Sequence, residues 1–321
     1  MHTDEKYMRR ALQLARHGLL DASPNPMVGA VIVDRSGRII GEGWHRRCGE
    51  GHAEVNAVAS VKEPEMLKDS TMYVTLEPCS HYGKTPPCAD MIVSRGIPRV
   101  VIGSLDPFAK VSGRGVAKLL AGGVEVVTGM LEDECRELNR KFMTAHGKQR
   151  PFITLKWAQS ADGFIDGHIS THITSMLVHK LRATHDAILI GSGTALSDNP
   201  TLTTRLYAGK SPLKVVLDRR GRVGDDMRLF DEGEVMVIRE SETLPETMHG
   251  LYERGVTSVL VEGGAEVLSS FLSEGLWDEI RIEVSPVKID GQVKAPVIPS
   301  IDIIPQIQTV DGHKILTYTK Y

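Results

Sequence analysis

His52, Glu54, Cys79 and Cys88 stand in an order that metal chemistry can use. Zinc favours nitrogen and sulfur donors in a tetrahedron, and a catalytic site commits three protein ligands so that the fourth position can take water. One histidine and two cysteines provide that set. Water on such an ion loses its proton near neutrality, and a carboxylate beside it must carry protons between the attacking oxygen and the departing group. Glu54, two residues after His52, is the candidate for that carrier. A closed structural zinc site with His45 or His81 as fourth ligand is the competing reading, but it has no use for a carboxylate at position 54.

The local sequence points the same way. Both cysteines follow proline, in Pro78-Cys79 and Pro87-Cys88. Cys88 opens an expected helix, where unsatisfied amides and the helix dipole favour a thiolate. The order H-x-E followed by P-C-x-x-C is a signature of zinc base deaminases, and His52-Ala53-Glu54 satisfies its first part. The second part is stretched, since eight residues, Ser80 to Pro87, separate the cysteines. Cys48 and Cys135 have no assigned role.

These residues need a scaffold, and periodicity outlines one. Apolar residues at helical spacing predict a helix over Tyr7 to Leu20. Val28 to Val33 and Arg38 to Gly43, joined by Asp34-Arg35-Ser36-Gly37, read as a hairpin. Helices follow at His52 to Val61, Pro87 to Arg95, Gly115 to Ala121 and Glu132 to Ala145, alternating with strands at Thr71 to Leu76, Val100 to Gly103 and Val124 to Thr128. That rhythm implies a layered α/β domain with a partly parallel sheet, closing near His146.

After the polar stretch Gly147 to Pro151 a strand is expected at Phe152 to Trp157, opening a second α/β unit. Further strands are expected at Ala187 to Gly191, Leu213 to Leu217, Val235 to Ile238, Ser258 to Val261, Glu279 to Val284 and Lys314 to Thr319. Helices are expected at Ser175 to Ala183, Leu244 to Arg254 and Ala265 to Ser273. The division is thus 1-146 and 147-321. A length of 321 residues suits two domains, and 41% hydrophobic residues let each bury a core.

The first domain resembles the pyrimidine deaminase half of the bacterial bifunctional riboflavin biosynthesis deaminase/reductase family. The resemblance lies in Pro24-Asn25-Pro26-Met27-Val28-Gly29, Gly43-Trp44-His45, Gly51-His52-Ala53-Glu54, the whole of Thr75 to Cys88, and Asp106-Pro107. The eight-residue spacing between the cysteines is the usual form in that family. The resemblance implies a cytidine-deaminase-like three-layer fold and hydrolytic deamination of 2,5-diamino-6-(5-phosphoribosylamino)pyrimidin-4(3H)-one. Asn25, His45, His81 and Lys84 would hold the heterocycle or its ribosyl phosphate.

The second domain resembles the family's reductase partner, which has a dihydrofolate-reductase-like fold and uses NADPH. Its matching pieces run from Leu155-Lys156 and Ser160-Ala161-Asp162-Gly163 through Ile173-Thr174-Ser175 and Leu181 to Gly191, then Gly193-Thr194, Asp198-Asn199-Pro200, Leu202-Thr203, Arg205 and Val261-Glu262-Gly263-Gly264. By that resemblance Ala158, His172, Thr194, Asp198 and Gly264 touch the cofactor, and Ser170, Arg182, Leu202, Arg205 and Glu262 the substrate. Lys156 would donate a proton or assist ring opening while hydride passes to the ribosyl C1. Arg182 and Arg205 would grip the substrate phosphate. Glu262-Gly263-Gly264, between a strand and a helix, would let main-chain amides approach a diphosphate. His172 stands where the family usually has tryptophan, the stretch from Asp162 to Arg182 is shorter than usual, and Arg219-Arg220 follow Asp218 where a small polar residue is customary.

Charge limits the partners. A net charge of -3 and the lack of interleaved basic and aromatic residues argue against nucleic acid. A small phosphorylated pyrimidine is the expected ligand and a homo-oligomer the expected assembly. The N-terminus lacks the apolar core of a signal peptide and no stretch is long enough to span a membrane, so a cytoplasmic location is expected. A zinc deaminase whose second domain does no chemistry is the alternative function.

Overall fold

A computed structural model describes residues 3–80, 86–107, 113–239 and 242–320. The chain divides into two compact units, Met1–Lys148 and Gln149–Tyr321. The division falls two residues beyond the expected one because the last helix of the first unit continues through Gly147 and ends at Lys148.

The first unit holds strands β1 (Gly29–Asp34), β2 (Ile39–Trp44), β3 (Ser70–Leu76), β4 (Arg99–Ser104) and β5 (Glu125–Val127), in the sheet order β2-β1-β3-β4-β5. β1 pairs antiparallel with β2 and β3, whereas β3, β4 and β5 run parallel. Six helices accompany them: α1 (Thr3–Ala15), α2 (Ala53–Ala59), α3 (Cys88–Ser94), α4 (Arg114–Ala121), α5 (Glu132–Leu138) and α6 (Arg140–Lys148). β1 is buried on both faces because its alternate side chains meet different helices. Ala30 and Ile32 pack with Ala53, Ala57, Ile92 and Leu119, while Val31 and Val33 pack with Tyr7, Met8, Leu12 and Cys135. The result is the expected three-layer arrangement. The helix expected over Glu132 to Ala145 is broken at Asn139, whose backbone leaves helical geometry at φ -107° and ψ 22°.

β2 sets the position of α2. A methyl group on Gly43 would lie 2.3 Å from Ala57 N and 2.5 Å from Ala53 O, so α2 rests directly on the strand backbone. Its N-cap, His52, is therefore carried to the end of the sheet.

The second unit is an eight-stranded sheet. Its strands are β6 (Phe152–Gln159), β7 (Ala187–Gly191), β8 (Leu213–Leu217), β9 (Val235–Ile238), β10 (Ser258–Val261), β11 (Glu279–Val284), β12 (Gln306–Val310) and β13 (His313–Thr319), ordered β12-β13-β11-β6-β10-β7-β8-β9. β6 to β11 are parallel, and β13 runs antiparallel between β11 and β12. Helices α7 (His172–Ala183), α8 (Ser192–Asp198), α9 (Leu244–Glu253) and α10 (Ala265–Ser273) complete the unit. One core joins Ile153, Leu155, Val259 and Val261 to Met248, Leu268 and Phe271, and a second joins Ile188, Ile190, Val216 and Leu260 to Leu202 and Leu229. Neither α8 nor β12 was expected from the sequence. No helix among the described residues is long and apolar enough to cross a membrane.

Candidate active sites

In the first unit a cavity of about 300 Å³ opens beside the head of α2. Cys79 lies on the loop after β3 and Cys88 begins α3, so the long connection between them returns both sulfurs to His52. His52 Nδ1 is 3.5 Å from Cys79 Sγ and 3.3 Å from Cys88 Sγ, and the three donor atoms lie within 4.8 Å of one another. The Cys88 main-chain N–H donates to Cys79 Sγ at 3.3 Å. Hydrogen bonding from Cys88 is the main influence holding the Cys79 thiol at about 4, with His52 adding to it, and the same contact together with burial drives Cys88 upward. One imidazole and two sulfurs in this space, one already a thiolate, fit a zinc ion's donor preferences.

Glu54, on the first turn of α2, is 3% exposed and lines the same cavity. Burial, reinforced by the Cys79 thiolate, pushes its carboxyl up to about 7. In the metal-free chain the Glu54 carboxyl is thus held above the usual carboxylate range, and a bound metal's positive charge would bring it down.

His45 and Asn25 also line the cavity, with the His45 ring edge to face against His52 at 5.6 Å. The Gly51 carbonyl can only accept, so His45 carries its proton on Nδ1, 3.2 Å away, and its Nε2 accepts from Asn25 Nδ2 at 3.1 Å. Burial lowers the pKa of His45, keeping the ring neutral. The Asn25 carbonyl oxygen is left as an acceptor for a ligand. His81 and Lys84 lie outside the described residues.

Four further residues in or behind this cavity escaped the sequence reading. Glu77 lines it, and its carboxylate accepts the main-chain N–H groups of Gly115, Val116, Gly113 and Asp106 at 2.8, 3.2, 3.0 and 3.3 Å. The N-cap of α4 is Gly113, which has no side chain to cap with, so a carboxylate from β3's exit does it instead. Asn139 accepts from Met27 N and donates to Met27 O, both at 2.8 Å, which ties down the Asn25-Pro26 loop. The break there redirects α6 so that Phe142 and His146, packed edge to face at 4.4 Å, reach the cavity wall.

The second unit's cavity, about 380 Å³, lies at the carboxyl ends of β6, β7 and β10, where parallel sheets bind ligands. Lys156, Ala158, Ser170, Arg182, Thr194, Asp198, Arg205, Glu262 and Gly264 all line it. A methyl group on Gly264 would lie 3.0 Å from Thr194 Oγ1, so the turn into α10 packs against the first turn of α8. Burial is the chief cause lowering the Lys156 pKa, with Arg182 acting in the same sense against Glu262. That weakens its hold on the proton it would donate.

Two expected residues do not reach this wall. His172 sits exposed on the first turn of α7, and Leu202 is 3% exposed in the core with Ile188 and Ile190. Arg182 is there but its fork is engaged: Nε and Nη2 donate to Glu262 at 3.0 and 2.9 Å, and Nη1 to Thr203 O at 3.1 Å. Its expected bidentate grip on a substrate phosphate is thus already taken by a carboxylate. Ser170 donates to Glu283 at 2.7 Å, which anchors the loop before α7. Ser175, Val178 and His179 of α7 line the cavity, and none was singled out from the sequence.

Comparison with known proteins identifies both units. Residues 1–104 match the cytidine and deoxycytidylate deaminase zinc-binding region, and residues 151–311 match the RibD C-terminal domain. Riboflavin biosynthesis protein RibD of Aquifex aeolicus is 38% identical over 90% of this chain and 88% of its own length. The Escherichia coli protein of that name is 37% identical over 88% of each chain. The chain belongs to the RibD family.

Among solved structures, a deaminase/reductase from Thermotoga maritima superposes with a TM-score of 0.90 at 38% identity, covering 99% of both chains. RibD of Acinetobacter baumannii gives 0.89 at 32% identity over 99% of this chain and 98% of that one. A deaminase domain and a reductase domain are both present, so this RibD chain is a bifunctional enzyme of riboflavin biosynthesis, with zinc and NADPH as cofactors.

Proposed function

We propose that residues 1–146 perform the deamination and residues 147–321 the reduction, each with the side chains gathered in its own cavity. The substrate is 2,5-diamino-6-(5-phosphoribosylamino)pyrimidin-4(3H)-one, whose amine is replaced by oxygen before the ribosyl group is reduced to ribityl. The observation that carries this is the convergence of His52, Cys79 and Cys88 within 4.8 Å in the cavity that Glu54 also lines.

Zinc held by those three side chains supplies the Lewis acidity that brings water close to deprotonation at neutral pH. Glu54 takes the proton and passes it to the departing amine, from its place in the wall of the same cavity. Neutral His45 fixes the Asn25 amide so that its oxygen accepts from the heterocycle. His81 and Lys84 complete the substrate set by their place in the sequence.

In the second cavity NADPH supplies the hydride. Ala158, Thr194, Asp198 and the Gly264 turn hold the cofactor, and Ser170, Arg205 and Glu262 face the substrate. Lys156, with its depressed pKa, donates the proton that accompanies reduction at the ribosyl C1. Arg182 keeps Glu262 ionised and oriented. We further assign the chain to the cytoplasm as a homo-oligomer, on the strength of the family resemblance.

Purified enzyme incubated with the diaminopyrimidinone phosphate, with and without NADPH, tests the assignment by mass spectrometry. The deaminated product is expected without NADPH and the ribityl product with it. Activity on cytidine but not on the pyrimidinone phosphate would overturn it.

A further inference from the structure

We propose that His179 is the inner hydrogen-bond donor to an anionic ligand group in the second cavity, the phosphate of a phosphorylated ribosyl ligand. The proposal rests on the reduction assigned to that cavity above.

An anion entering this cavity would meet its cationic and N–H-bearing side chains. Lys156, Arg182 and Arg205 are the lysine and arginine side chains lining the cavity. Arg182 turns its Nε–Nη2 edge to Glu262 and one Nη1 N–H to Thr203 O, so its bidentate edge is occupied and one N–H remains on each Nη. Arg205 is exposed at the rim, with Nη1 3.2 Å from Thr201 Oγ1. His179 is 3% exposed and one turn before Arg182 on α7, so it lies on the same helix face.

The tautomer of His179 follows from one contact. The Leu206 main-chain N–H donates to His179 Nδ1 at 3.3 Å. A main-chain N–H only donates, so Nδ1 carries no proton and the neutral ring holds it on Nε2. Among the described residues nothing accepts from Nε2. The ring stays neutral because burial, then Arg182 and Arg205, and more weakly Lys156, push its pKa down to about 4 against the pull of Glu262. His168 and Asp198 are the other titratable side chains of the wall. A neutral N–H from His179 and the exposed guanidinium of Arg205 make a two-sided site for an oxyanion. The same Leu206 contact joins the inner donor to the turn that carries Arg205.

Two substitutions in the full-length chain separate donation from positioning. His179→Asn puts Oδ1 where Nδ1 stood, keeping an acceptor for Leu206 N–H, and leaves nothing at the place of Nε2. His179→Gln does the reverse. The expected result for Asn is a KM for 5-amino-6-(5-phosphoribosylamino)uracil raised about ten- to hundredfold, with the KM for the dephosphorylated ribosyl compound unchanged. Gln is expected to keep most of the preference for the phosphorylated form. Ribose 5-phosphate binding, measured calorimetrically, should weaken in Asn by the same factor, while NADPH binding in the same preparations, followed by nicotinamide fluorescence, reports a folded second unit. Equal loss on both ribosyl compounds, or Gln weaker than Asn, would overturn the proposal. A wild-type chain that binds ribose 5-phosphate through His179 but oxidises no NADPH would instead refute the reduction, so the two failures are distinct.

Discussion

Replacing Glu77 with glutamine changes one oxygen to an amide and almost nothing in volume, yet it should destabilise the first unit strongly. The carboxylate is 4% exposed and accepts four main-chain N–H groups, three of them on the first turn of α4 or its cap. In the Glu77→Gln variant one oxygen still accepts, while the new NH₂ faces N–H groups it cannot serve. Hydrogen bonds to a charged group are each worth roughly 1.5–3 kcal/mol net, and about two are lost. The first turn of α4 also loses the negative charge that its dipole favours. The sum is about 3–7 kcal/mol, a large share of a typical domain's stability. For a unit of this size that corresponds to a fall in Tm of at least roughly 10 °C. Urea unfolding resolved by amide hydrogen exchange is the assay, because it separates the two units. The Gly113, Gly115 and Val116 amides should exchange at least about a hundredfold faster, with peptides of the second unit unchanged. Deamination should decline too, since Gly115 packs against the Pro78 carbonyl next to Cys79. A loss below about 1 kcal/mol, or amides as protected as before, would refute this account of how the loop is held.

Glu54→Gln should cut deamination by about a hundred- to ten-thousandfold while zinc, measured by elemental analysis, remains bound; unchanged turnover would return the metal to a structural role. Stripping the metal with a chelator should abolish ammonia release and leave NADPH oxidation by the aminouracil phosphate intact, and a parallel fall in both would show that the sites are not independent. Burial raises the pKa of Glu262, but Arg182 and then Lys156 outweigh it and hold the carboxyl at about 2. Its pKa in the unfolded chain is about 4.3, so this stabilisation is complete above that pH and is lost as pH falls from about 4 to 2. The stability gap between wild type and Glu262→Gln should therefore narrow across that window, and a gap independent of pH would exclude the ion pair as its source.

The strands of the second unit were legible where short apolar runs enter the parallel sheet, as in β7, β8, β9 and β10, or where apolar and charged residues alternate, as in β11. β7, β8, β9, β10 and β11 begin and end where the pattern placed them. β12 was not, since it is a largely exposed edge strand with only β13 for a neighbour. α8, Ser192-Gly193-Thr194-Ala195-Leu196-Ser197-Asp198, is rich in weak helix formers, and its helical state comes from packing after β7. The opening helix ended earlier than expected, at Ala15, passing into a tighter turn at Arg16–Gly18. His172 was placed at the cofactor by family resemblance alone, and the structure does not bring it to the cavity. It falls on the same stripe of α7 as Ser175, His179 and Arg182, but its turn lies beyond the cavity.

The sequence by itself named His52, Cys79 and Cys88 as a candidate metal-binding set, Glu54 as a candidate proton carrier and a boundary near residue 146, and the fold brings those three donors within 4.8 Å of one another. Those features are written locally, as His52-Ala53-Glu54, as proline-cysteine pairs and as the alternation of apolar runs with helical repeats. The tertiary structure alone decided the supports: Glu77 reaching the N-terminus of α4, Asn139 gripping Met27 across 112 positions, Glu262 claiming the fork of Arg182, and Leu206 setting the tautomer of His179. Each is a hydrogen bond between groups distant along the chain, and no periodicity or spacing encodes such a pairing until the backbone has folded.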